Sequence, residues 1–330
     1  PRTCFTDHEL QQCQVETTSL GLPHARSGGF AVVYRLYDGT GREWAVRCFQ
    51  REVPDLQRKY ATISAYLSQL RSPVADFFVP FDYQPQGIRV AGNLYPIVKM
   101  GWVQGETLDS FIKNQLRNPT ALDQLAETFR SCILYLEKIG IAHGDLQHGN
   151  IMVLPDGNIR LIDYDGIYVP GMSLGQGHEK GHPNYQHPAR DVQHFGPNMD
   201  RFSAICIYVS LKALSVRPDL WDSYHSQENI IFRAEDFKDP DNSPLFSELC
   251  TLRGIADYAE RFKEICRLRI EDVPTLEAFI LGIMPAPSTT WRSYRSPSAK
   301  PPAQPQPTTH VPPAPSTTWR SYRSPSAKPP

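Results

Sequence analysis

The residues most capable of chemistry lie in one short stretch, His143 to Asn150, and at Asp163, thirteen positions further along the chain. The stretch is His-Gly-Asp-Leu-Gln-His-Gly-Asn, so Asp145 and Asn150 bring a carboxylate and an amide close together in sequence. Such oxygen atoms are the ligands that Mg²⁺ takes when it bridges nucleotide phosphates. The pattern therefore indicates phosphoryl transfer from ATP.

Two short apolar runs must position these oxygen-bearing side chains. They cover residues 151–154 and 159–162, and the turn-forming segment Pro155-Asp-Gly-Asn158 separates them. Apolar runs joined by turn residues predict a β-hairpin. The loop with Asp145 and Asn150 precedes the first strand of this hairpin, and Asp163 follows the second strand. Oxygen ligands therefore lie at both ends of the hairpin.

The same residues resemble the catalytic loop and metal-binding segment of the protein kinase superfamily, in particular bacterial serine/threonine protein kinases. His143-Gly-Asp145 stands where that family has His-Arg-Asp, Asn150 falls at the matching offset, and Asp163-Tyr-Asp165 replaces Asp-Phe-Gly. The resemblance implies that Asp145 accepts the substrate hydroxyl proton. It also implies that Asn150 and Asp163 hold Mg²⁺, or alternatively Mn²⁺, beside ATP.

A second match lies downstream. The segment Gly181-His-Pro-Asn-Tyr-Gln-His-Pro188 follows the pattern that closes a protein-kinase activation segment, although Ala189 and Arg190 follow it in place of the usual Glu. Asp200 then begins an apolar helix. In the family, an Asp at this place bonds the backbone of the catalytic loop, so the resemblance gives Asp200 and His143 structural roles.

The nucleotide-binding features are weaker. Gly28-Gly29-Phe30 and the strand after them resemble the Gly-rich phosphate loop, but only Gly28 of the three usual glycines is kept. Such a loop can still cover phosphates with backbone N–H groups, so Gly28, Gly29 and Phe30 are candidate ATP contacts. Trp102 and Val103 follow a predicted strand, at the hinge where the family binds adenine, and are the candidate adenine contacts.

Three departures from the family argue for weak activity. Arg47 stands where the family has a phosphate-binding Lys, and its planar fork is wider than an ammonium group. No Glu occurs between Glu52 and Glu106, so the usual helix partner of that cation is missing. Gln147 replaces the Lys that protein kinases carry two residues after the catalytic Asp.

The features together predict a serine/threonine protein kinase with Asp145, Arg47 and Gln147 as catalytic residues. One alternative is a pseudokinase, a nucleotide-binding scaffold, but the intact Asp145, Asn150 and Asp163 oppose it. The other is a small-molecule phosphotransferase of the aminoglycoside or choline kinase type, whose loop also has the sequence His-Gly-Asp-Leu-x-x-Gly-Asn. The activation-segment pattern and Asp200 oppose that alternative.

The resemblance implies an α+β, two-lobed protein-kinase-like fold over residues 26–284, after an N-terminal extension at 1–25. A small β-rich N-lobe is expected at about 26–100 and a larger α-helical C-lobe at about 106–284. Within the latter, an apolar face of period 3.6 predicts a helix that ends at Gly140 and begins with a capping box at Thr120-Ala-Leu-Asp123. Its apolar residues are Leu122, Leu125, Phe129, Ile133 and Leu136.

Residues 285–330 have a different composition. This tail is rich in Pro, Ser and Thr, and a 17-residue segment at 286–302 recurs letter for letter at 314–330. It carries six basic residues and no acidic one. Such a composition predicts disorder, and the serines next to arginines are candidate sites of phosphorylation in cis.

The overall composition gives little direct information about partners. A formal net charge of −1 gives no reason to expect nucleic acid or a membrane as a partner, and no apolar N-terminal segment suggests targeting. The seven cysteines are scattered and lack CxxC spacing, as in reduced cytoplasmic proteins. We therefore expect a cytoplasmic enzyme that acts on a protein substrate.

Overall fold

A computed structural model of the chain describes residues 2–27, 31–49 and 54–285. An antiparallel sheet forms most of the first hundred of these residues, and helices dominate the rest, which confirms the predicted combination of an antiparallel sheet with several helices. Gly28, Gly29 and Phe30 lie outside the described residues, as does the tail from position 286 onward.

The main sheet contains six strands of the described part of the chain. They are β1 (Gln14–Val15), β2 (Ala25–Ser27), β3 (Ala31–Tyr37), β4 (Glu43–Phe49), β5 (Phe81–Val90) and β6 (Asn93–Gly101). The strand order is β1-β3-β4-β6-β5, β2 also pairs with β3, and every pairing is antiparallel. Residues before position 26 therefore add strands to this sheet.

The helices of the described residues follow in chain order. They are α1 (His8–Gln12), α2 (Pro54–Leu67), α3 (Leu108–Gln115), α4 (Pro119–Ile139), α5 (Arg201–Val216), α6 (Leu220–Tyr224), α7 (Ala234–Lys238), α8 (Pro244–Leu249), α9 (Ala256–Ile265) and α10 (Leu276–Ile280). None of these described helices has the length and apolar character needed to cross a membrane.

Alternation along β4 gives the main sheet two different faces. Val46 is fully buried with Leu36 and Ile97 on one face of the sheet. Ala45 and Arg47 point to the other face because successive side chains of a strand alternate. In the register of the sheet, Arg47 lies opposite Val33 on one side and Val98 on the other. Arg47 thus lies between apolar neighbours on this face of the sheet.

A small second sheet contains the predicted hairpin. Strands β8 (Ile151–Val153) and β9 (Ile159–Leu161) pair antiparallel, with Val153 opposite Ile159, and β7 (Glu106–Thr107) adds a third strand. The hairpin is therefore confirmed at the predicted place. Because β8 and β9 are antiparallel, the loop before β8 and the segment after β9 lie next to each other at the same end of the hairpin.

Helix α4 supports the loop before this hairpin. Its apolar face is buried as predicted, with Leu122, Leu125, Phe129, Ile133 and Leu136 at most 3% exposed. The helix begins slightly earlier than the predicted capping box, because the Asn118 side chain accepts from the Ala121 N–H and Pro119 occupies the first turn. Gly140, at a φ of 70°, ends it in the left-handed conformation.

Helix α5 is buried on nearly all sides. From Phe202 to Ser215 every residue but Lys212 is buried, which agrees with the apolar helix predicted after Asp200. It packs against α4 and extends the same hydrophobic core. Two long helices in direct contact thus form a rigid base under the residues between 140 and 200.

Candidate active site

The loop after α4 depends on a close backbone contact between two glycines. Ala142 exchanges backbone hydrogen bonds with Tyr168, which brings the loop against the segment that follows β9. Gly144 has a φ of 83°, and a Cβ there would lie 2.2 Å from the carbonyl oxygen of Gly166. Only glycine fits this contact. The position that resembles the Arg of His-Arg-Asp therefore has a structural reason to be Gly here.

Asp200 fixes the backbone of the same loop. Its carboxylate is buried and accepts hydrogen bonds from the backbone N–H groups of His143 and Gly144, the latter at 2.8 Å. Burial raises the pKa of Asp200, against the opposite effects of His143 and of these two hydrogen bonds.

The Asn variant of Asp200 tests this support. The amide has a single acceptor oxygen, so its NH₂ group must face one of the two backbone donors. We expect Asp200→Asn to lower the free energy of unfolding by about 1–3 kcal/mol in chemical denaturation. Asp222→Asn, the same change at an exposed carboxylate, should stay within about 0.5 kcal/mol of the wild type. Equal stability of both variants would contradict the proposed support.

Three donors hold the carboxylate of Asp145. Gln147 Nε2 and Asn150 Nδ2 donate to Oδ2 at 2.8 and 3.0 Å, and the backbone N–H of His182 donates to Oδ1 at 2.7 Å. The structure thus brings three predicted site residues together and adds His182 from the activation-segment pattern. These hydrogen bonds fix the orientation of a half-buried carboxylate.

Asn150 is oriented by the same network. Its Nδ2 also donates to the backbone carbonyl of Asp145 at 2.9 Å. With both contacts made by the amide nitrogen, the Oδ1 atom accepts no hydrogen bond from any residue that the structure describes. This orientation leaves an oxygen ligand available next to the Asp145 carboxylate.

Asp163 follows the hairpin and has a left-handed backbone conformation, with a φ of 63°, which is uncommon for residues other than glycine. Its side chain is 52% exposed, and its Oδ1 lies 3.7 Å from Nη1 of Arg47. Partial desolvation in the cleft and the charge of Asp165 raise the pKa of Asp163, while Arg47 lowers it. The site therefore concentrates negative charge beside an open space.

The neighbours of Asp163 are firmly packed. His143 Nε2 lies 2.9 Å from the carbonyl oxygen of Ile162, so the loop before β8 contacts the segment after β9. The hydroxyl of the buried Tyr164 donates to the Leu161 carbonyl and accepts from the Val79 N–H, both at 2.8 Å. Asp163 thus projects from a segment that is fixed on both sides.

A cleft of about 470 Å³ separates the main sheet from the hairpin. Val33 and Ala45 line it from the main sheet, and Met152 and Ile162 line it from the hairpin side. Arg26, Arg47 and Asp163 supply its charged lining. Apolar walls with a few charged groups are typical of small-molecule sites.

Trp102 and Val103 line this cleft together with Arg47. The backbone N–H of Trp102 donates a hydrogen bond to the carbonyl of Glu43 at 3.0 Å. The side chains of Arg26 and Arg35 lie over the Trp102 ring. By contrast, Val103 makes no backbone hydrogen bond to any described residue. Of the two candidate adenine contacts, Val103 therefore has both its backbone N–H and its carbonyl available.

Arg47 has a partner that the sequence did not reveal. Its guanidinium donates from both Nη atoms to the carboxylate of Asp165, at 2.5 and 2.6 Å. Tyr60 donates to the same carboxylate, and Lys59 donates to the Asp165 backbone carbonyl. Two differences from the family could have indicated this partner. Position 165 has an acidic residue where the family has Gly, and the helix lacks the usual Glu.

Comparisons with known proteins give a local match. No protein-family model matches the sequence. Over 91 residues, or 28% of this chain, it is 29% identical to the probable serine/threonine-protein kinase mkcC of Dictyostelium discoideum. The matched region spans 10% of that protein. This similarity indicates the protein kinase superfamily at most.

Proposed function

We propose that the chain transfers the terminal phosphate of ATP to Ser or Thr hydroxyls of a protein substrate, with a two-lobed kinase-like arrangement. The observation that carries the proposal is the placement of Asp145 and Asn150 at one end of the hairpin and Asp163 at the other, beside a cleft that also contains Arg47. The local similarity to a serine/threonine kinase supports it.

Asp145 is the proposed base. Hydrogen bonds from Gln147 and Asn150 occupy Oδ2, so the carboxylate is held in one orientation before a substrate binds. A positioned carboxylate can accept the proton of a substrate hydroxyl as its oxygen attacks the phosphate. In this proposal Gln147 replaces the usual Lys as a neutral donor that orients the base.

The donor set fits Mg²⁺. Asp163 offers an accessible carboxylate, and Asn150 offers an amide oxygen that accepts from no described residue. No group of three or more His, Cys, Asp or Glu side chains among the described residues is placed to hold a metal alone. This agrees with Mg²⁺, which binds one or two protein side chains together with substrate phosphates and, when bound, neutralises their developing charge.

The cleft fits a nucleotide. Its apolar walls suit a purine ring, and the backbone groups of Val103 are available to the edge of that ring. Arg47 lies in the same cleft, and its Nε is a buried donor without a partner among the described residues. A buried donor without an acceptor costs about 1–3 kcal/mol, and a phosphate oxygen would remove that cost.

The proposal is tested by supplying purified protein with labelled ATP, Mg²⁺ and a mixture of acceptors. We expect labelled Ser and Thr in general protein acceptors, no label without a divalent cation, and activity with Mn²⁺ as well. Label only in an aminoglycoside or choline would favour the small-molecule alternative. Nucleotide binding without transfer to any acceptor would favour the scaffold.

The same reaction examines the tail as a substrate. Ser293, Ser296, Ser321 and Ser324 lie next to or near arginines in the duplicated segment. Mass spectrometry of the chain after incubation with ATP should detect phosphate on these serines if the tail is modified in cis. Unmodified tail serines in an active sample would exclude this substrate.

A further inference from the structure

Asp165 lies where strand β4, helix α2 and the segment after β9 meet. Arg47 of β4 makes a bidentate pair with its carboxylate, at 2.5 and 2.6 Å. From α2, the Tyr60 hydroxyl donates to Oδ1 at 2.6 Å, and Lys59 Nζ donates to the backbone carbonyl at 2.5 Å. Four hydrogen bonds from two elements thus converge on one residue.

This junction has an unusual distribution of charge. Helix α2 contributes only donors to it, because its one acidic residue, Asp55, lies in the first turn with a side chain that is 76% exposed. The carboxylate comes instead from Asp165, whose side chain is 18% exposed, against 19% for Arg47. A pair this far removed from solvent, with both oxygens occupied, holds the guanidinium in one geometry.

A second carboxylate lies close to the same guanidinium. Asp163 Oδ1 is 3.7 Å from Arg47 Nη1, whereas Asp165 Oδ1 is 2.5 Å from the same nitrogen. Without the Asp165 carboxylate, the closest available acceptor for Arg47 is Asp163, the proposed metal ligand. A closer, hydrogen-bonded pair between them would neutralise more of the charge that a divalent cation needs.

We infer that Asp165 is a positioning residue that replaces the helix glutamate missing from this chain. It holds Arg47 for the phosphates, prevents a closer approach of Arg47 to Asp163 than the present 3.7 Å, and connects both to the position of α2 through Tyr60 and Lys59. This inference rests on the proposed phosphotransfer function, because Arg47 and Asp163 act there on nucleotide and metal.

The Asp165→Asn variant of the full chain tests this role. We expect KM for ATP to rise about tenfold, the size of one lost charge-assisted hydrogen bond, with a smaller change in kcat. The Mg²⁺ concentration for half-maximal rate should rise as well, which a general loss of stability would not cause. Asp165→Glu, which keeps the charge, should recover part of the loss, and Asp156→Asn in the hairpin turn serves as the matched control.

The outcomes separate the two proposals. An active wild type with unchanged KM and Mg²⁺ requirement in Asp165→Asn would overturn the inference alone. A wild type that neither binds ATP nor transfers phosphate would overturn the proposed function, and the inference with it. If thermal unfolding shows that Asp165→Asn does not fold, Tyr60→Phe replaces it: a KM rise of about threefold is expected from the loss of one neutral donor, and an unchanged KM would overturn the inference.

Discussion

Replacement of Asp145 by Asn is expected to reduce phosphate transfer by about two to four orders of magnitude, the usual contribution of a positioned general base. Asn is nearly the same size and the side chain is only half-buried, so the fold should remain. ATP affinity should stay within about twofold of the wild type, because this residue acts on the hydroxyl proton rather than on nucleotide binding. Labelled transfer and calorimetric ATP binding on the same preparation measure both quantities.

The hydrogen bonds around Asp145 make this comparison informative. Gln147 and Asn150 donate to Oδ2, and the His182 N–H donates to Oδ1, so an amide at this position must turn its NH₂ group toward at least one donor. A control with the same chemical change, Asp156→Asn in the hairpin turn, should retain wild-type activity. Transfer by Asp145→Asn at more than about a tenth of the wild-type rate would exclude this residue as the base.

The second large effect concerns the metal. Asp163→Asn should remove the dependence of ATP affinity on Mg²⁺ and lower transfer by about two orders of magnitude, since a metal ion contributes several kcal/mol to such transition states. The reason is local charge: Asp163 is the exposed carboxylate of the cleft, whereas Asp165 is already paired with Arg47. Calorimetric titrations with ATP, with and without Mg²⁺, measure the change.

A clear contrast identifies the role of Asp163. In the wild type, Mg²⁺ should strengthen ATP binding, and in Asp163→Asn the two titrations should coincide. The Asp156→Asn control should behave as the wild type, which excludes a general effect of removing one negative charge near the hairpin. A variant in which Mg²⁺ still strengthens ATP binding to the wild-type extent would show that the metal is held elsewhere.

The features that the sequence predicted well depend on short-range patterns. The β8–β9 hairpin follows from two apolar runs around Pro155-Asp-Gly-Asn158, and the buried face of α4 follows from spacing of three and four residues. The pattern predicts the start of α4 slightly too late, because the side-chain oxygen of Asn118, rather than Thr120, caps the helix. Such boundaries depend on single hydrogen bonds that periodicity does not contain.

The features that could not be predicted depend on long-range packing. Arg47 and Asp165 are 118 residues apart, and their pair exists only because β4, α2 and the segment after β9 come together. The backbone N–H of Trp102 is similarly engaged by the carbonyl of Glu43, a contact between main-chain atoms that leaves no trace in side-chain patterns. The sequence could identify the candidate residues, but not which of their atoms were already occupied.

The contact between Gly144 and Gly166 limits how this chain can change over evolutionary time. Any side chain at position 144 would collide with the carbonyl oxygen of Gly166, and one at 166 would press on the backbone from His143 to Asp145. A single mutation to the His-Arg-Asp form therefore requires a rebuilt main chain on both sides. Lineages that carry this glycine pair are expected to keep it together or to lose it together.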